Sequence, residues 1–152
     1  VFVESADEMY RACSEVFATC NGAVMCAAVA DFTPVHPENK KTKRGKVNWS
    51  IELEPTKDIA AALGKNKNDC QILVGFALET NDELANARKK LKSKNLDFVV
   101  LNSMNEKGEV IQVDTNKITI IDKYNNQQNF ELKSKKKVAS DIVKKIISIS
   151  DN

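Results

Sequence analysis

Val74-Gly75-Phe76-Ala77-Leu78-Glu79-Thr80-Asn81, running on to Lys90, Lys92, Lys94, Asp97 and Asn102, decides how this chain is read. An apolar run stops at a helix start, a lysine-rich helix end follows, and a second apolar run begins at Asp97. Strands at about 71–77 and 97–102 on either side of one helix make a β-α-β crossover, a connection that is almost always right-handed and parallel. In an open sheet of this kind ligands bind outside the carboxyl ends of the strands, where Phe76, Glu79 and Asn102 are expected.

Outward from that unit, Thr80-Asn81-Asp82-Glu83 has capping-box spacing, and so does Ser5-Ala6-Asp7-Glu8, which predicts a helix over about 6–19. Val1-Phe2-Val3 before it reads as a strand. Ala23 to Ala30 is a continuous run of small and β-branched residues, as expected of a strand buried on both faces and ending at Asp31. Residues 33–46 hold Pro34, Pro37, Gly45, Lys40, Lys41, Lys43, Arg44 and Lys46, a basic connection. Val47 to Glu54 alternates apolar with polar, the pattern of a half-exposed strand. A short helix from Lys57 to Leu63 is expected to end at a left-handed Gly64.

Toward the C-terminus, 117–122 and 129–132 flank a polar turn and predict an antiparallel hairpin. A last amphipathic helix over about 135–148 carries Val138, Ile142, Val143, Ile146 and Ile147 on one face. The economical architecture is α/β, a three-layer Rossmann-like sheet with a C-terminal antiparallel hairpin extension.

The 152 residues, 42% hydrophobic and 29% charged, fit one domain over 1–152 with an ordinary core. A net charge of +2 gives no global field toward nucleic acid or an acidic membrane. Cys13, Cys20, Cys26 and Cys70 lack C-x-x-C spacing and His36 is the only histidine, which is poor material for zinc and reads as reduced thiols. No apolar run approaches the roughly 20 residues that span a bilayer, and a cytoplasmic location is expected. The chain begins at Val1 and is expected to be part of a longer protein.

The candidate chemistry is that of phosphate. Asp31, at the end of a strand, can accept from a sugar hydroxyl or hold a magnesium-bound phosphate; as a turn aspartate it would bond its own backbone. Lys41-Thr42-Lys43-Arg44 can neutralise charge on a leaving pyrophosphate, or be a solvated charge run. Lys90 and Lys94 share a helix face and can point at one anion, although cations there also suit the helix dipole. Phe76 can stack on a base or belong to the core. G-x-G-x-x-G, the P-loop pattern, G-x-S-x-G and Tyr-x-x-x-Lys are all missing, so dinucleotide enzymes, P-loop enzymes and α/β-hydrolases gain no support. Taken alone, the residues reach a nucleotide-binding α/β domain.

Ala27-Ala28-Val29-Ala30-Asp31-Phe32, Lys41-Thr42-Lys43-Arg44, Glu54-Pro55-Thr56-Lys57-Asp58-Ile59, Gly75-Phe76-Ala77-Leu78-Glu79-Thr80 and Lys94-Asn95-Leu96-Asp97 to Asn102, in this order, resemble phosphopantothenoylcysteine synthetase. In bacteria this is usually the C-terminal half of the bifunctional coenzyme A biosynthesis flavoprotein. The resemblance implies a ligase that activates 4'-phosphopantothenate with CTP and magnesium as an acyl-cytidylate and couples it to L-cysteine. It implies that Met25, Cys26, Ala27 and Asp31 hold the cytidine and that Phe76 lines the nucleotide pocket. Lys57, Asp58, Ile59 and Ala60 would give backbone contacts, and Lys41, Lys90 and Lys94 would bind the triphosphate, with Lys41 as the catalytic cation. The magnesium ligands are not implied.

Family members are dimers, and the hairpin of residues 117–132 is the expected contributor to that contact; the fused half is a flavin-dependent decarboxylase. This chain departs from the family at its lysine loop, which usually reads Lys-Ile-Lys-Lys, and at Lys57, where a proline is common. The family's N-terminal glycine-rich turn and its intermediate-holding asparagine have no counterpart, so an N-terminally incomplete domain is expected. The competing expectations are a non-catalytic nucleotide-binding or regulatory module and a generic flavodoxin-like protein.

Overall fold

The computed structural model describes residues 1–38, 40, 41, 43, 48–79, 81–103 and 114–151. Its elements run α1 (Ala6–Phe17), β1 (Gly22–Met25), β2 (Phe32–Pro34), β3 (Leu53–Pro55), α2 (Ile59–Asn66), β4 (Ile72–Leu78), α3 (Glu83–Ser93) and β5 (Phe98–Ser103). There follow β6 (Thr115–Asp122), β7 (Gln127–Asn129), β8 (Lys133–Ser134) and α4 (Lys135–Ser150). The main sheet has the order β1-β4-β5-β6-β7, with β8 also on β6, while β2 and β3 form a separate pair. β1, β4 and β5 are parallel; β6 and β7 continue the sheet antiparallel.

Alternation along β4 and β5 sends odd and even residues to opposite faces, and each face is covered. Leu73, Ala77, Val99 and Leu101 pack with Phe17 of α1, Ile59 and Leu63 of α2, and Ala87 and Leu91 of α3. Val74, Phe98, Val100, Ile118 and Ile120 pack under Val138 and Ile142 of α4. The expected three layers are therefore present, and so is the β4-α3-β5 crossover with its parallel pair; the antiparallel hairpin is present with its second strand at Gln127–Asn129, earlier than the expected 129–132.

α1 begins with the expected capping box: Ser5 Oγ accepts from the Glu8 amide at 3.2 Å and Glu8 accepts from the Ser5 amide at 3.1 Å. Other expectations are corrected. Val1-Phe2-Val3 is not a strand, since no described strand pairs with it, and Val1 and Phe2 are fully exposed. The strand read over 23–30 is only Gly22–Met25 and is half exposed at the sheet edge. Beyond it the chain turns off to β3: the Thr56 hydroxyl donates to the Ala30 carbonyl at 2.6 Å and the Thr56 amide to that of Asp31 at 2.9 Å.

The strand read over 47–54 shrinks to Leu53–Pro55, paired with Phe32–Pro34, and Trp49, Ile51 and Leu53 stay exposed because no described layer covers them. α3 starts at Glu83 with Asp82 as N-cap at φ 46° and without a side-chain cap; Thr80 of the expected capping box lies outside the described residues. On α4, Val138 and Ile142 are buried but Val143 and Ile147 are exposed, because a helical step of about 100° carries them past the sheet.

Gly64 is not a cap. α2 continues to Asn66, and a Cβ at Gly64 would collide with the Lys94 carbonyl oxygen, so glycine is what allows α2 to meet the end of α3. Asn95, at φ 49°, completes the junction by donating its side-chain amide to the Gly64 carbonyl at 2.8 Å.

At the amino edge of the sheet Asp97 is almost sealed and accepts from Lys67 at 2.6 Å, the Leu73 amide at 2.8 Å and Lys123 at 3.1 Å. This residue of the opening stretch therefore ties strands together at the end opposite the expected ligand edge. No described helix is long and apolar enough to cross a membrane.

Candidate functional site

A cleft of about 270 Å³ opens beyond the carboxyl ends of β1 and β4. Met25 and Ala27 to Asp31 form one wall and Lys57 to Ala60 at the start of α2 form another, while Gly75 and Phe76 lie at the back and Lys90 and Lys94 of α3 close the far side. The wall at Ala30–Asp31 is held by the two Thr56 hydrogen bonds. The back is tight, since a Cβ at Gly75 would stand 2.7 Å from Leu96 Cδ1.

The start of α2 borders the cleft with a capping carboxylate and backbone amides. Asp58 is the N-cap and accepts from the Ala61 amide at 3.0 Å. The amides of Ile59 and Ala60 belong to the first helical turn, which has no intrahelical acceptors, and the helix dipole favours negative charge there. Lys94 approaches from the side, donating to Asp58 at 3.0 Å, in a position fixed by the Gly64 junction.

Burial is the largest single influence on Asp58 and pushes its carboxyl up. The Ala61 amide, the Lys94 hydrogen bond and the charges of Lys94 and Lys90 outweigh it and hold the group below its ordinary value.

Lys90 is also paired. Its Nζ lies 2.6 Å from Glu79 Oε1, just past the end of β4. That oxygen is sealed from solvent and makes no aligned hydrogen bond among the described residues, so the ion pair is its compensation. Lys57 is drawn toward α1, donating to Asp7 at 2.9 Å and sitting 4.5 Å over the Tyr10 ring. Among the described residues Asp31 makes no ion pair, and its carboxylate is exposed in the cleft wall.

Ten of the twelve residues singled out from the sequence line this cleft: Met25, Ala27, Asp31, Lys57, Asp58, Ile59, Ala60, Phe76, Lys90 and Lys94. Cys26 and Lys41 are exposed and do not line it. Thr42 and Arg44 of the lysine loop lie outside the described residues. Phe76 borders the cleft but packs with the cluster under α4, so its core role and its place at the cleft coexist.

Sequence reasoning placed Glu79 at this edge without a partner for it, and it missed Thr56, Met9 and Leu96. The spacing of Glu79 and Lys90, eleven apart across a turn and a helix, carries no periodic signal. Asn102 lies one residue before the end of β5 and does not line the cleft; its buried Oδ1 has no hydrogen-bond partner among the described residues. Those residues include no group of three His, Cys, Asp or Glu placed to hold a metal.

A parallel strand pair with a helix N-terminus, two lysines and two aspartates at its carboxyl edge defines an α/β domain with a charged cleft where such folds bind ligands. The chain matches the DNA/pantothenate metabolism flavoprotein C-terminal domain over residues 1–149, and it belongs to that family. It is 55% identical, over 97% of its length and 41% of the relative, to a protein of an unknown prokaryotic organism named cysteine/cysteine sulfinic acid decarboxylase. It is 39% identical, over 97% of its length and 36% of the relative, to the coenzyme A biosynthesis bifunctional protein CoaBC of Bacillus subtilis strain 168. The solved C-terminal domain of a CoaBC protein superposes with a TM-score of 0.78 at 33% identity, covering 100% of this chain and 66% of that one. The chain thus spans well under half of the curated relatives it matches.

Proposed function

We propose that this chain is the nucleotide-binding part of a phosphopantothenate–cysteine ligase of coenzyme A biosynthesis, working with CTP. The supporting observation is the convergence of Asp31, the start of α2, Lys90 and Lys94 on one cleft in a chain of this family.

In the first step a carboxylate oxygen of 4'-phosphopantothenate attacks the α-phosphorus of CTP. An acyl-cytidylate forms, the bond to the β-phosphate breaks, and pyrophosphate leaves. The amine of L-cysteine then attacks the acyl carbon, the amide bond forms, CMP leaves with the electron pair of the acyl–oxygen bond, and the amine loses a proton.

The chain's residues act by positioning and charge neutralisation, which need no activated nucleophile. Asp31 and the backbone from Met25 to Ala27 face the cytidine, the Ile59 and Ala60 amides take phosphate oxygens, and Lys90 and Lys94 supply positive charge. Lys41 is assigned to the departing pyrophosphate. Magnesium fits as an ion carried on the phosphates of the nucleotide, because such ions are bound largely by substrate phosphates and water, and the described residues hold no cluster that would bind it alone. Bound there, it would neutralise charge on the phosphates.

The same reading gives a homodimer using the β6–β7 hairpin, a fused or associated flavin-dependent decarboxylase, and a cytoplasmic location. It is tested by following pyrophosphate release from CTP, phosphopantothenate and cysteine by the protein that carries this sequence. Lys41→Gln should slow the cytidylylation step with the fold intact; an unchanged rate removes that assignment. A second reading is a nucleotide-binding module without ligase chemistry beside a decarboxylase, favoured by the name of the 55% identical relative. It predicts CTP binding without pyrophosphate release.

A further inference from the structure

The two lysines of α3 are held differently. Lys94 makes an aligned hydrogen bond to Asp58, a carboxylate already occupied as a helix cap. Lys90 meets Glu79 at 2.6 Å, yet Glu79 Oε1 is buried and has no aligned hydrogen bond among the described residues. A partly exposed ion pair without aligned hydrogen bonds is weak, so an entering polyphosphate can compete for the cation. The Lys90 side chain is 40% exposed and that of Glu79 16%, so the cation can turn into the cleft while its counter-ion stays behind.

We infer that Glu79 is a positioning residue for Lys90: the lysine exchanges this carboxylate for an entering polyphosphate and returns to it when the anion leaves. Glu79 keeps the cleft from binding pyrophosphate too tightly, because the anion must displace one carboxylate and then face it. The inference rests on the nucleotide reading of the cleft.

The test is calorimetric titration of the chain with inorganic pyrophosphate and, separately, CTP with magnesium, for the parent, Glu79→Gln, Lys90→Gln and the double variant. Glu79→Gln should tighten pyrophosphate about fivefold, the size expected of one partly exposed pair. Lys90→Gln should weaken it, and in the Lys90→Gln background the Glu79 change should bring no gain. Glu79→Asp, which keeps the charge but withdraws it by one methylene, should give a smaller gain and serves if Glu79→Gln does not fold. In the pyrophosphate-release assay Glu79→Gln should lower KM for CTP and kcat together, with stronger product inhibition by pyrophosphate.

Unchanged or weaker pyrophosphate binding in Glu79→Gln, or a gain that persists without Lys90, overturns the exchange and leaves the nucleotide reading standing if Lys90→Gln still weakens CTP. Absence of any binding to the parent overturns both.

Discussion

Asp58 shows how much one residue does at this site. Its carboxylate caps α2, holds Lys94 and sits where anions are drawn to the helix start. Loss of an N-cap costs about 1 kcal/mol, so Asp58→Ala should lower stability by that amount in a denaturant titration, while the freed Lys94 should tighten CTP binding. Weaker CTP binding would mean that Asp58 contacts the nucleotide directly. Asp31→Ala should weaken CTP affinity with little change in stability, because the carboxylate is exposed; an unaltered affinity would make it a turn residue. The sequence made Lys90 and Lys94 candidates because they share a helix face. It could not show their counter-ions, since Asp58 is 36 residues from Lys94 and only the folded chain brings them together.

At the scale of elements, what was legible followed a strong period or a strong cap. β4 and β5 are buried on both faces and bracket α3, and the Ser5–Glu8 box marks the start of α1. The failures share a cause: a local pattern says what a segment can do, and its neighbours decide. Residues 27–30 have the composition of a strand but are taken by Thr56 to build the cleft wall. Residues 48–52 alternate as a strand should, yet no described layer covers them. Gly64 has the signature of a cap, but it is used for close contact between α2 and the end of α3. Gly64→Ala should therefore separate these elements and cost about 1–3 kcal/mol through overpacking, measured by thermal or denaturant unfolding. A neutral or stabilising effect, as expected for an exposed helical glycine, would contradict the junction.

For the molecule as a whole, the two edges of the sheet have separate tasks. The carboxyl edge carries exposed or exchangeable charges, and at the amino edge the nearly sealed Asp97 holds the largely buried Lys67 and the half-exposed Lys123. Burial is the largest influence on Asp97 and raises its carboxyl, but Lys67, the Leu73 amide and Lys123 outweigh it and hold the group below its ordinary value of 3.8. The hydrogen bond to Asp97 raises Lys123 above its ordinary 10.5, against the effect of burial. The Asp97 contribution is thus present above pH 3.8 and lost as pH falls through the lowered folded value. That of Lys123 is present below pH 10.5 and lost as pH rises through the raised one.

Stability should be flat with respect to this network at neutral pH. Asp97→Asn should cost about 3–5 kcal/mol, because it leaves Lys67, whose side chain is only 10% exposed, without its counter-charge. The same substitution should reduce the acid dependence below pH 4, as followed by circular dichroism. A pH profile identical to the parent's would remove the network from the account.

The central claim, that the cleft beyond β1 and β4 receives a cytidine nucleotide, is tested most directly by calorimetric titration of the purified chain with CTP and with ATP, each with magnesium. The account predicts CTP binding with a clear preference over ATP, weakened by Asp31→Ala and Lys90→Gln. Equal affinity for the two nucleotides, or binding of neither, would contradict it.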